Sequence, residues 1–220
     1  RFLDAPPLPF YFSAEHEAFR ASLRAFVARE IAPFVTEWDE AETFPRDLYR
    51  RAAELGVLGL GYPEALGGTP ADLFYQLIVA EEFARCGAGG VQASLNSHSI
   101  ALPPILKAGS EELKQRVIPP VLAGEKIAAL AITEPSGGSD VAALRTTAVR
   151  DGDHYVVNGE KTFITSGVRA DFITTAVRTD PANKGAGGIS LLVIEGDTPG
   201  LSRTSLDLSL IHISEPTRPY

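Results

Sequence analysis

The sequence predicts an α+β protein, with an N-terminal all-α bundle followed by an antiparallel β-barrel or sandwich. Three observations carry this. Apolar residues recur at helical spacing across residues 13–120; near Lys126 the texture changes to short β-branched and aromatic runs; compact turn signals separate those runs. Helices first and strands afterwards imply segregated layers, so an alternating parallel βαβ sheet, and with it a Rossmann fold, is disfavoured.

The helical part reads as five segments. Ser13 can cap a helix whose apolar residues Phe19, Leu23, Phe26, Val27 and Ile31 share a face, with Pro33 marking its end. Phe44-Pro45 introduces a second, with Leu48, Ala52 and Leu55 on one side and Gly56 as its stop. Thr69-Pro70 suits the start of a third, which carries Leu73, Leu77, Ile78 and Phe83 toward Gly87. A fourth runs over residues 91–106, and Ser110 opens a fifth that ends near Pro119-Pro120. No residue pattern recurs between the segments, so they are not an α-repeat.

Strand-length runs follow at residues 127–132, 146–149, 154–157, 161–165, 172–177 and 189–194. Asp151-Gly152-Asp153 and Asn158-Gly159 are hairpin turn signals between them. The expected division is a helical domain over 1–126 and a β-domain over 127–207. Residues 208–220 resemble a translated transposon-end sequencing adapter and are expected to be a non-native tail; a natural strand plus tail is the alternative.

Composition narrows the function classes. Hydrophobic content of 45% and charged content of 22% are those of an ordinary globular protein. No stretch approaches the roughly 20 apolar residues that span a bilayer. The opening residues, with Asp4, Pro6 and Pro7, lack the apolar run and cleavage site of a secretory leader. Net charge is -8 with Lys and Arg scattered, so no basic face for nucleic acid is expected. The single Cys86 excludes an internal disulfide and reads as a small apolar residue at a helix end. His16, His98, His154 and His212 show no metal-ligand spacing, and no metal site is expected.

One segment carries chemistry. Residues 130–143 are a strand running into the polar loop Thr133-Glu134-Pro135-Ser136-Gly137-Gly138-Ser139-Asp140. Glycines let backbone approach a flat or charged ligand closely, and successive N–H groups there can face acceptor oxygens. Thr133 and Ser139 add hydroxyls. On composition alone, an ordinary polar turn between strands is the favoured explanation of the segment.

The residue order adds more. Positions 131–143 match the acyl-CoA dehydrogenase signature throughout: small, aliphatic, Ser/Thr, Glu, two free, small, Gly, Ser/Thr, Asp, two free, small. Lys161-Thr162-Phe163-Ile164-Thr165-Ser166-Gly167 resembles the family's second flavin-contacting strand, with Phe163 where Trp is frequent, and residues 196–201 resemble its exit from the middle domain. Gly67-Gly68, residues 109–114 and residues 122–125 resemble its N-terminal domain, so the likeness covers nearly all of 8–207.

The resemblance implies FAD as cofactor and α,β-dehydrogenation of an acyl-CoA to a trans-2-enoyl-CoA. It implies that Leu130, Ala131, Ile132 and Thr133 line the pyrimidine side of the flavin, that Ser139 contacts both FAD and the acyl-CoA, and that Phe163, Ile164 and Thr165 pack behind the ring. For Phe163 a plain core aromatic is the alternative. The resemblance further implies electron-transfer flavoprotein as acceptor, a homotetramer, and a bacterial cytoplasmic or mitochondrial-matrix location. In the family the catalytic base is a Glu of a C-terminal four-helix domain. That domain is expected to be absent here, no catalytic residue is assigned, and Glu134 is expected to be structural. An acyl-CoA oxidase on the same fold and a non-catalytic acyl-CoA- or flavin-binding module stay open. Residues 95–99 are a candidate acyl-pocket wall, with His98 either a satisfied helix residue or a ligand contact.

Overall fold

The computed structural model describes residues 10–183 and 185–206; the expected tail 208–220 and the opening residues 1–9 lie outside them. Eight α-helices precede the sheet among the described residues: α1 (Ala14–Glu30), α2 (Val35–Glu40), α3 (Asp47–Glu54), α4 (Leu73–Ala84), α5 (Gly89–Leu95), α6 (His98–Ala101), α7 (Pro103–Ala108) and α8 (Glu111–Leu122). The strands are β1 (Ala128–Ala131), β2 (Thr147–Asp151), β3 (His154–Asn158), β4 (Phe172–Arg178) and β5 (Ile189–Glu195).

Ser13 caps α1 as its sequence predicts, its hydroxyl accepting from the His16 N–H. The cap of α4 is Asp72, not Thr69: Asp72 accepts from the Phe74 N–H, while Thr69 is tied to the 59–61 segment by bonds to Gly59 and Gly61. The stretch expected as one helix over 91–106 is three short ones. Ser97 turns aside to donate to the Ala128 carbonyl, and Pro103 starts a new helix instead of continuing the old one. Conversely, α8 runs through Pro119 and Pro120, because Val121 and Leu122 beyond them are buried in the core. Burial there outweighs the two missing amide donors.

The five strands form one mixed sheet, which corrects the antiparallel expectation. β2 and β3 make an antiparallel hairpin, and β4 pairs antiparallel with β5, but β1 lies parallel to β4. A local turn fixes only the strands it joins; β1 and β4 are separated by 40 residues that cross back to the same end. The run at β4 carried a hint of this, since six of its residues are buried without alternation, as in a strand covered on both faces.

Two further expectations fail locally. Residues 161–165 are a loop, not a strand, and Asn158-Gly159 ends β3 without a hairpin. Phe163 and Ser166 adopt left-handed φ of 57° and 61°, which breaks any extended run. Gly159 is needed for another reason: a Cβ there would lie 2.4 Å from the Thr146 hydroxyl.

The core has two parts. One joins α1, α3 and α4 to β1 through residues such as Leu23, Ala52, Ile78, Phe83 and Ala129; the other packs Leu102, Ile118 and Val121 on Ala128 and Phe172. Both seat the buried side of β1 against helices, and this fixes where the chain leaves β1.

Candidate functional site

At the exit from β1, Glu134 and Gly137 exchange two backbone hydrogen bonds of 3.0 and 3.1 Å, turning the chain sharply. The buried Glu134 carboxylate then collects donors from two directions. One oxygen accepts from the Arg145 N–H at 2.6 Å; the other accepts from the Thr146 N–H, the Thr146 hydroxyl and the Lys161 ammonium at 2.8, 2.6 and 2.9 Å. Burial alone would raise the carboxyl's pKa, but the bonds from Thr146 and Lys161 overcome it and hold the group down at about 2. Glu134 is therefore an ionised strut that closes the 134–146 loop, in line with the structural role expected of it.

Lys161 does a second job by donating to the Ile132 carbonyl at 3.0 Å, and the Thr162 N–H donates to the Thr133 carbonyl at 2.9 Å. These bonds draw the loop at 161–167 alongside the end of β1. A cleft of about 240 Å³ opens here, lined by Ile132, Glu134, Gly137, Gly138, Asp140 and Leu144 among others. Gly138 leaves room for Thr133, whose methyl would sit 3.2 Å from a Cβ at that position.

The expected site residues divide by placement. Leu130 and Ala131 lie on β1, paired with Thr174 and Thr175; Ala131 is buried and Leu130 half-buried against the core. Ile132 and Thr133 are half-buried just past the strand, and Ser139 is exposed on the loop. Ile164 packs into the core, whereas Thr165 is exposed. Phe163 is 65% exposed, so the reading of it as a core aromatic is overturned. The end of β1 and residues 161–165 are brought together directly; Ser139 joins them only through its neighbour Gly138.

In the 95–99 segment Leu95 is buried and Ser97 donates to the Ala128 carbonyl of β1. His98 is buried and bonded through Nδ1 to the Leu95 carbonyl at 3.0 Å, and burial lowers its pKa, keeping it a neutral structural residue. Cys86 is half-buried, donating to the Phe83 carbonyl. No cluster of metal-ligating side chains occurs among the described residues, and none of their helices is long and apolar enough to cross a membrane.

The sequence reading missed the roles of Lys161, Thr146 and Arg178. Arg178 donates to the Ala142 and Asn183 carbonyls at 2.6 Å each, stapling the loop after Asp140 to the β4–β5 connection. Only Lys161 had a signal, its place in the second motif.

Comparison with known proteins agrees with this arrangement. Residues 13–125 match the family profile "Acyl-CoA dehydrogenase, N-terminal domain", and residues 129–211 match "Acyl-CoA dehydrogenase, middle domain". Mitochondrial isobutyryl-CoA dehydrogenase of Bos taurus is 39% identical over 206 residues, covering 94% of this chain and 49% of that protein. The solved structure of acyl-CoA dehydrogenase from Geobacillus kaustophilus is 42% identical with a TM-score of 0.79, over 86% of this chain and 50% of that one. That of acyl-CoA dehydrogenase complexed with FAD from Bacillus anthracis is 33% identical with a TM-score of 0.82, over 94% and 36%. The chain thus spans about half the length of the curated relatives it matches. From the helical layer, the mixed sheet and the motif at the exit of β1 to these matches, one assignment follows: the chain belongs to the acyl-CoA dehydrogenase family.

Proposed function

We propose that this chain forms the flavin- and thioester-binding part of an FAD-dependent acyl-CoA dehydrogenase, which converts an acyl-CoA to a trans-2-enoyl-CoA. One observation carries the reading. The hydroxyl-bearing residues Thr133, Ser139 and Thr165 lie on the two segments that Lys161 holds together, and the exposed Phe163 ring lies on the second of them. A flat, polar-edged ring such as a flavin suits an apolar platform rimmed by hydroxyl donors. The residues present therefore fit FAD.

In this reading Leu130 to Thr133 border the pyrimidine edge, Phe163, Ile164 and Thr165 lie behind the ring, and Ser139 reaches both FAD and the acyl-CoA. FAD, when bound, takes up the hydrogen and electron pair leaving the β-carbon. The chain's own part is binding and tuning: hydroxyl donors near the ring favour added negative charge, and Phe163 excludes water from one face. The α-proton of a thioester is weakly acidic, so its removal needs a carboxylate base together with hydrogen bonds to the thioester carbonyl. Glu134 has both oxygens committed and is held ionised by Lys161, so we assign the base to no residue among 10–206. We divide the chain into a helical domain at 1–126 and a β-domain at 127–207, and propose electron-transfer flavoprotein as acceptor, a homotetramer, and a cytoplasmic or mitochondrial-matrix setting.

The test is a flavin-fluorescence titration of the chain with FAD. Saturable quenching is expected, weakened about tenfold by the double change Phe163→Ala and Thr165→Val; binding indifferent to both changes would sink the reading. The chain alone should convert no acyl-CoA to enoyl-CoA, and measurable conversion would overturn the placement of the base.

A further inference from the structure

The loop at 161–169 contains two of the three non-glycine residues with positive φ among the described residues, Phe163 and Ser166. L side chains crowd the backbone in that conformation, so something must hold it there. The restraint comes from behind. The Tyr49 hydroxyl on α3 donates to the Ser94 carbonyl of α5 at 3.1 Å, and the Ser166 hydroxyl lies 3.4 Å from both that carbonyl and the Tyr49 oxygen. The Arg169 guanidinium sits over the Phe44 ring at 4.6 Å and the Tyr49 ring at 5.7 Å. Arg46 donates to the Arg169 carbonyl, and Arg203 to those of Gly167 and Ala170. On the front of the loop, by contrast, the Phe163 and Thr165 side chains are exposed.

We infer that Tyr49, remote from the motif in sequence, is a positioning residue: with the Ser94 carbonyl it locks Ser166 in its left-handed conformation and so keeps Phe163 and Thr165 turned outward toward the ring-binding side. The inference rests on the flavin reading for what that side binds, but not for the lock itself. Serine suits the position because its hydroxyl reaches the Tyr49–Ser94 pair. Glycine would adopt the φ more easily yet leave the loop unanchored.

Two variants test this. Tyr49→Phe keeps the ring against Phe44 and Arg169 and removes only the hydroxyl; Ser166→Gly relieves the backbone and removes the other partner. In amide hydrogen exchange, the N–H groups of Gly167 and Arg169, which donate to Ile164 and Ser166, should exchange about tenfold faster in both variants while α1 and α4 keep their protection. FAD titration should show affinity weakened about fivefold in each, with an altered visible band of the bound flavin. Unchanged exchange in this loop overturns the inference, and so does loosening that spreads to α1 and α4, which would make Tyr49 a general core residue. Should the parent bind no FAD while the loop still responds, the lock stands and the flavin reading falls. Should the loop respond but parent and variants bind FAD alike, the positioning role falls and the flavin reading stands.

Discussion

Glu134 sits in a loop that exposes most of its neighbours, yet it is buried and bonded on both oxygens. Its pKa falls from an ordinary 4.5 to about 2 on folding. A carboxyl depressed in this way adds stability that is complete above its unfolded pKa and is lost as pH falls through the folded one. At 1.36 kcal/mol per pH unit the contribution is on the order of 3 kcal/mol. Urea unfolding of Glu134→Gln should therefore show a loss of about 2–3 kcal/mol at neutral pH. It should also show a flattened acid limb between pH 4.5 and about 2; a parent-like acid limb would contradict the strut. The motif's Glu was legible as structural only through the family resemblance. Its partners Thr146 and Lys161 lie 12 and 27 residues away, and nothing local announces such a contact.

Among the helices, His16 serves two termini at once. Its Nδ1 accepts from the Ser13 N–H at 3.0 Å, at the start of α1, and its Nε2 bonds Asp72, the cap of α4, at 3.0 Å. This fixes Nε2 as the protonated nitrogen of the neutral ring. His16→Ala should unfold about 1–2 kcal/mol more easily, near the value of one to two lost caps, and Asp72→Ala in that background should add less than it does alone. Full additivity in thermal or urea unfolding would show the caps to be independent. Elements whose causes are local were readable in advance: the Ser13 cap, the stop at Gly56 and the β2–β3 turn at Gly152 all follow from neighbours in sequence. The parallel β1–β4 pairing, the broken 91–106 stretch and the left-handed loop at 163–166 were not, because burial and long-range bonds decide them. Pro119 and Pro120 misled for the same reason, a local stop signal overruled by the core.

At the scale of the whole molecule, helical and sheet layers meet at Asp171. Its carboxylate accepts from the Ile127 N–H at 2.7 Å and pairs with Lys126 and Arg46, the last reaching across from the start of α3. Burial would raise its pKa, but the Ile127 N–H and Arg46 bring it below the ordinary value. Asp171→Ala leaves the Ile127 N–H without its acceptor and takes the carboxylate away from Lys126 and Arg46, and should cost about 2 kcal/mol. Trp38 lies in the helical layer and reports on it alone, whereas far-ultraviolet circular dichroism reports on both layers. The two signals should melt together in the parent and separate in the variant. Coincident melting in both would mean that the packing of the β1 face holds the layers together without this residue.

The Lys161 bridge also has a chemical consequence. Acyl transfer onto a lysine requires a free amine that the reagent can reach. Lys161 is only 10% exposed, and its nitrogen is bonded to Glu134 and the Ile132 carbonyl, whereas Lys126 is about half exposed. Brief treatment with acetic anhydride, read by peptide mass, should mark Lys126 well before Lys161. Acetylation of Lys161 would then report that the loop has opened, which makes this amine a built-in gauge of whether the site is assembled.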